Sequence, residues 1–162
     1  MTTATAGSTD IGSYPAPAVS LARMFYDRVA ASPPAEAFRF PAGTGWASLT
    51  WAQTAETVKT MAAGLLTLGI QPEERVAIAS ATRIEWLYAD LAIMCAGAAT
   101  TTVYPSTGAD DVAFIISDSS TRLVFAEDQA QIAKLRAQRD HIPHPTPCRS
   151  SCRTYRPNAA RS

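Results

Sequence analysis

Residues 75–126 read RVAIASATRIEWLYADLAIMCAGAATTTVYPSTGADDVAFIISDSSTRLVFA, and this stretch decides the fold. VAIAS (76–80) is a short apolar run of strand length. TRIEWLYADLAIMCAGA follows; it is nearly all apolar after Asp90 and long enough for a buried helix. ATTTVY (99–104) is β-branched and leads through a Pro/Ser/Gly loop into the helical DDVAFIISDS. RLVFA (122–126) is a third strand, and Asp128 to Gln131 caps a last helix carrying Ile132 and Leu135. Strands that alternate with helices in this way must run parallel, with right-handed crossovers, because each helix returns the chain to the same end of the sheet. The expected class is α/β, a βαβαβα parallel-sheet fragment.

Upstream of this stretch the spacing predicts a helix, a hairpin and a long helix. Ser20 caps a short helix whose Leu21, Met24, Phe25, Arg28 and Val29 fall at helical spacing, ended by Ser32-Pro33-Pro34. AFRF and WASLT flank PAGTG, two extended runs about a Pro/Gly turn. Gly43 and Gly45 are followed by neither a lysine nor a helix start, so a plain turn is favoured over a phosphate loop. Thr50-Trp51-Ala52-Gln53 is a capping box. It opens a helix with Trp51, Ala55, Val58, Ala62 and Leu65 on one face and Gln53, Glu56 and Lys59 outside. Gly69 suits the left-handed stop.

The 162 residues are 47% hydrophobic, enough to bury a core, and the formal charge is zero, with 14 basic against 14 acidic side chains. No basic field invites nucleic acid or an anionic membrane. The first 17 residues, MTTATAGSTDIGSYPAP, lack the basic start and apolar run of a secretory signal and read as a flexible leader. No apolar stretch reaches the roughly 18 residues that span a bilayer; the nearest approach, Leu87 to Ala99, is interrupted by Asp90. A cytoplasmic protein is expected. An odd count of three cysteines, with Cys95 in an apolar segment, argues against a secreted disulfide framework.

The same stretch resembles the adenylate-forming enzymes, and among them the long-chain fatty-acid CoA ligases. Leu49-Thr50-Trp51, Ala63-Gly64-Leu65 with Leu68-Gly69-Ile70, and Arg75-Val76-Ala77-Ile78 look like the opening of their N-terminal domain. Glu85-Trp86, Ala89-Asp90-Leu91-Ala92-Ile93, Ala96-Gly97-Ala98, Val103-Tyr104-Pro105 and the Ile-Ile-Ser-Asp-Ser run ending at Ser119 resemble such ligases in order and spacing. The likeness covers about residues 20 to 140. It departs at Glu73-Glu74, where a Gly-Asp turn is usual, and at Thr82 and Ile84, where Asn and Pro are common.

The resemblance implies ATP-dependent activation of a fatty acid to an acyl-adenylate, then transfer of the acyl group to coenzyme A, with magnesium accompanying the ATP. Phosphate binding in that family uses a Ser/Thr/Gly-rich loop ending in Pro-Lys-Gly. No such loop occurs in residues 1–162, nor do the later acidic motif associated with magnesium, the ribose-binding aspartate or the small C-terminal domain with its catalytic lysine. No catalytic, cofactor-binding or metal residue is therefore assigned, and no cofactor is expected in this fragment. Pro105-Ser106-Thr107-Gly108 before a helix is the local candidate for an anion, but Asp110 and Asp111 in that first turn repel phosphate, which favours an ordinary connection. Tyr104 at a strand end is expected to finish a core, and Arg83 to face water.

The last residues, HIPHPTPCRSSCRTYRPNAARS, hold His141, His144, Cys148 and Cys152. These are zinc-type ligands, but Pro143, Pro145 and Pro147 hold the backbone extended and oppose convergence on one ion. A disulfide is disfavoured by the cytoplasmic setting. Past Asp140 the composition shifts to Pro, Arg, Ser and Cys without an acidic residue. Two lysines against a dozen arginines suggest GC-rich coding, whose out-of-frame translation favours such residues. Three segments are expected: a leader (1–17), a partial AMP-binding ligase N-terminal domain (18–140), and a disordered, out-of-frame tail (141–162).

Such a truncated chain would leave an open sheet edge, prone to poor solubility, self-association or docking on a full-length ligase. Alongside the reading as an inactive ligase fragment stand a non-catalytic module that docks on such a ligase and a small nucleotide-binding α/β protein.

Overall fold

In the computed structural model, residues 19–142 are described. The chain runs α1 (Leu21–Ala31), β1 (Glu36–Ala42), β2 (Gly45–Thr50), α2 (Trp51–Thr67), β3 (Arg75–Ala79), α3 (Ile84–Cys95), β4 (Ala99–Val103), α4 (Ala109–Asp118), β5 (Leu123–Ala126) and α5 (Gln129–Ala137), ending in a 3-10 turn at Arg139–His141. The helix, hairpin, long helix and βαβαβα unit stand in the expected order. The leader and all of the tail beyond Ile142, with His144, Cys148 and Cys152, lie outside the described residues.

Local chemistry sets the boundaries. The Ser20 hydroxyl accepts from the Arg23 amide at 3.1 Å and starts α1. At α2 the capping box is reciprocal: the Gln53 amide donates to Thr50 Oγ1 at 3.2 Å, and the Thr50 amide donates to Gln53 Oε1 at 2.9 Å. Gly69, at φ +88°, ends the helix in the left-handed region that only glycine enters freely. β1 and β2 pair antiparallel around Gly43-Thr44, with Gly43 at φ +59°. The glycine pair of the hairpin is thus a turn.

β3, β4 and β5 form a parallel sheet in the order β4-β3-β5. Because β4 and β5 lie on opposite sides of β3, two right-handed crossovers run in opposite directions and put their helices on opposite faces. The alternation of β3 shows this directly. Val76 and Ile78 join Tyr88, Ala89, Ala92 and Ile93 of α3 and Val58, Ala62 and Leu65 of α2 in one core. Ala77 and Ala79 join Val112 and Ile116 of α4 in the other. Asp90, the polar break in α3, accepts from the Thr100 hydroxyl at 2.7 Å and so ties α3 to β4.

On α1, Phe25 is buried and Val29 packs on the core, while Leu21 and Met24 are 58% and 53% exposed. On α2 the buried face includes Thr54, which the apolar pattern omits; its hydroxyl donates back to the Thr50 carbonyl at 2.9 Å and so enters the core satisfied.

Glu73, where the resemblance described above has a Gly-Asp turn, adopts φ +64°. Its amide donates to the Gly97 carbonyl at 2.9 Å, which holds the turn in that conformation. A left-handed non-glycine residue costs about 1–2 kcal/mol, against about 0.5–1 kcal/mol for the greater unfolded-state entropy of Gly. Glu73→Gly is therefore expected to stabilise the fold by about 0.5–1 kcal/mol, read as a higher urea midpoint at unchanged m-value.

Candidate functional site

In an open parallel sheet, the place to look for a site is the crevice where neighbouring strands send their helices to opposite faces. Here that point lies between β3 and β4. A crevice of about 140 Å³ opens at their carboxyl ends, lined by Ser80, Ala81 and Thr82 of the β3–α3 turn, Trp86 of α3, and Thr102, Val103 and Tyr104. Tyr104 is 75% exposed at its rim, so it does not finish a core; it follows the buried Val103 just past the last sheet pairing, where no facing layer remains to cover it. No lining residue is ionised, and the Ser80 hydroxyl donates to the Ala81 carbonyl at 2.9 Å. The crevice offers hydroxyls and two aromatic rings, and no carboxylate, imidazole, ammonium or guanidinium lies in its wall.

Charge gathers beside the crevice, not in it. Arg83, which precedes α3, donates to Glu85 at 2.6 and 3.2 Å and to Glu127 at 3.0 Å. Its side chain faces water, as expected, at 47% exposure, and it also bridges two loops through its ion pairs. The Ala81 amide donates to Glu127 at 2.8 Å, joining the β3–α3 turn to the end of β5 across 46 residues of sequence. That amide, and after it Arg83, hold the Glu127 carboxyl below the usual carboxylate range, while burial pushes it the other way. Glu85 and Glu127 in turn hold Arg83 protonated above its usual range.

The loop 105–108 is occupied by its own chain. Lys134 of α5 donates to the Pro105 carbonyl at 2.6 Å and the Thr107 carbonyl at 2.9 Å, and Gln131 donates to Pro105 at 3.4 Å. The loop therefore turns carbonyls toward a cation, the reverse of an anion cradle. The Asp111 carboxylate lies 3.7 Å from where a Cβ on Gly108 would sit, placing negative charge at the α4 N-terminus. This geometry favours the ordinary strand-to-helix connection.

Elsewhere, Arg39, Trp46, Ala47 and Ser48 bound a shallow hollow of about 480 Å³ on the hairpin, where Arg39 is paired to Glu36 at 2.9 Å. Cys95 is free, and burial pushes its thiol up, away from the reactive thiolate. Among the described residues no group of His, Cys, Asp and Glu is placed to hold a metal. His141 sits in the final 3-10 turn. The zinc-type cluster it would head lies mostly outside the described residues. Sequence reading missed the Glu127 and Lys134 links because both join residues far apart in the chain. The one available signal was that loops at the carboxyl ends of parallel strands converge.

Two substitutions test these links. Glu127→Gln is expected to cost about 1 kcal/mol at neutral pH through loss of the charged acceptor. The folded pKa is depressed, so this stabilisation is present above the unfolded value and is lost as pH falls from roughly 5 through the lower folded value. Thermal melts of wild type and variant should therefore differ at pH 7 and converge in acid. Lys134→Met leaves two loop carbonyls without their donor, at about 1–3 kcal/mol. Faster amide exchange over residues 104–108 than in wild type would report it.

Comparison with known proteins agrees with this architecture. The AMP-binding enzyme family matches residues 25–158, a span that runs beyond Asp140, where the quoted resemblance ends. The long-chain-fatty-acid–CoA ligase FadD15 of Mycobacterium bovis is 40% identical over 82 residues, 51% of this chain and 14% of that protein. An uncharacterized protein of Mycobacterium tuberculosis, Rv1549, is 31% identical over 112 residues, 69% of this chain and 62% of that one. The N-terminal domain of FACL13 from Mycobacterium tuberculosis superposes with a TM-score of 0.70 at 27% identity, covering 78% of this chain and 32% of that domain's chain. The chain thus spans about one seventh of FadD15 and corresponds to an N-terminal part of such ligases. It belongs to the AMP-binding enzyme family.

Proposed function

We propose that the chain is a truncated N-terminal part of a long-chain fatty-acid CoA ligase and has no ligase activity of its own. The whole enzyme would join ATP, a long-chain fatty acid and coenzyme A into acyl-CoA, AMP and diphosphate, with magnesium. The observation that carries the reading is the fate of the two lysines. Adenylyl transfer builds negative charge on phosphate oxygens, which in the resembled ligases the lysine of the Pro-Lys-Gly loop would meet. Lys134 is spent on the carbonyls of Pro105 and Thr107, and the Lys59 ammonium lies 5.7 Å from the ring centroid of Tyr26 on the outer face of α2. No further lysine exists in the sequence. The module would serve the ligase as a scaffold layer, while the reacting groups come from chain that is not part of these 162 residues.

The test is ATP–pyrophosphate exchange by the purified chain with magnesium and a long-chain fatty acid. Exchange no faster than the protein-free blank is expected, and measurable turnover would overturn the reading. Magnesium-ATP should also leave the melting temperature unchanged; a rise with ATP concentration would point instead to a small nucleotide-binding protein.

The second reading, a non-catalytic module that docks on a full-length ligase, is favoured by one observation. The chain covers 62% of the short protein Rv1549 but 14% of FadD15, so this module also occurs within a short chain. Stoichiometric co-purification with a full-length ligase would support it, and absence of a complex would remove it.

Two parts of the proposal rest on sequence alone. The cytoplasmic location expected above is part of the proposal; no helix among the described residues is long and apolar enough to cross a membrane. The out-of-frame tail is supported by the compositional shift past Asp140, while the family match through residue 158 counts against it. Resequencing the coding DNA and translating the other frames beyond His141 decides it. A shifted frame that resumes an apolar strand and reaches a loop ending in Pro-Lys-Gly is the expected result.

A further inference from the structure

We infer that β5 is a self-docking edge. Two copies of the chain pair β5 against β5, antiparallel, about a two-fold axis normal to the sheet and passing between the two Phe125 residues. The inference deepens the expectation of an open edge and does not depend on the ligase reading.

Among the described residues β5 is paired on one side only, to β3. All four of its residues are half-buried, whereas four of the five in β3 are buried. Edge strands are ordinarily guarded by a charge, a proline or a bulge, and Leu123-Val124-Phe125-Ala126 has neither charge nor proline. The other edge, β4, is built of Ala, three Thr and Val and runs directly into Tyr104-Pro105, where an amide donor is missing. It has less apolar surface to cover and no charge at either end to set a register.

Symmetry restricts the pairing of β5 to very few registers. A two-fold axis normal to the sheet keeps each face on its own side, and directly opposed residues in an antiparallel pair point to one face. Opposed residues must therefore be an even number apart in sequence. A register centred on Val124 sets Arg122 against Ala126 and Thr121 against Glu127, with no opposite charges facing. A register centred on Phe125 sets Arg122 against the partner's Asp128 twice, Val124 against Ala126, and ring against ring on the axis.

Arg122 and Asp128 are both exposed at the ends of β5. Arg122 Nε contacts Glu74 at 3.1 Å while 43% of its side chain stays exposed. Asp128 uses Oδ1 to cap Gln131, and Oδ2 is its second acceptor. With zero formal charge on each copy there is no net repulsion to overcome. The charges select the Phe125 register, and the product is one continuous sheet through both copies.

The full chain should shift from monomer to dimer between low and high micromolar concentration by light scattering, with amides of Leu123–Ala126 exchanging more slowly as dimer forms. Arg122→Glu sets like charges opposite one another and should weaken the dimer at least about tenfold. Arg122→Lys should retain it. Glu74→Gln neutralises one contact of Arg122 within its own chain, together with an acceptor of the Gln71 amide, and should leave association intact. A monomer at every concentration, mass growth without a plateau, or a dimer with unprotected β5 amides would each overturn the proposal. So would equal weakening by Arg122→Glu and Glu74→Gln. As a second readout, Phe125→Cys should give a disulfide-linked dimer under mild oxidation; a folded variant that stays unlinked while the wild type dimerises would exclude this register.

Discussion

The structure depends on β3. Among the described residues it is the only strand of the parallel sheet with a partner on both sides, and Val76, Ala77, Ile78 and Ala79 are each no more than 2% exposed. Its alternation supplies both cores at once, Val76 and Ile78 toward α2 and α3, Ala77 and Ala79 toward α4. Burying Val76 and Ile78 alone contributes about 3–6 kcal/mol, a large share of the marginal stability of a domain this size.

From that centre the crossovers determine where loops meet. β3, β4 and β5 all end on one side of the sheet, so Ala81, Tyr104 and Glu127 become neighbours although they come from three different connections. The Ala81–Glu127–Arg83 bridge and the Lys134 clamp on the 105–107 loop use the polar groups of this end to hold the loops to one another. Groups committed in this way are unavailable to a substrate. The carboxyl end of the sheet, the usual seat of chemistry in such folds, is here a stiffened surface around a crevice with no ionised side chain in its wall.

Most of the fold was legible in the sequence because its signals are local. Ser20, Thr50 with Gln53, and Gly69 mark helix ends by chemistry that acts over three or four residues, and the shift from short β-branched runs to longer apolar segments separates strands from helices. Resemblance in Glu85-Trp86 and Val103-Tyr104-Pro105 added the family. What could not be read was anything set by tertiary neighbours. Helical spacing does not separate the buried Phe25 from Leu21 and Met24, because burial requires a facing layer that the latter do not have. Tyr104 looked like the end of a core strand for the same reason. Strand order, and with it the crevice, follows from pairings made across 20 to 50 residues.

The unequal coverage of β3's neighbours links the fold to its role. One core gathers α1, α2, α3 and the hairpin, with Phe38 beside Trp51 and Phe25 behind it; the other has Ala77, Ala79, Val103, Val112 and Ile116 as its buried members. A sheet of three strands with one heavy and one light layer, and with both outer strands unpaired among the described residues, is stable in its middle and unfinished at its rims. In the FACL13 N-terminal domain the equivalent region is about one third of the chain, so the rims can be completed within a larger domain. In this chain the apolar, unguarded rim lies at β5, and the physics that places β3 at the centre therefore also leaves β5 as the surface on which further strands can be added.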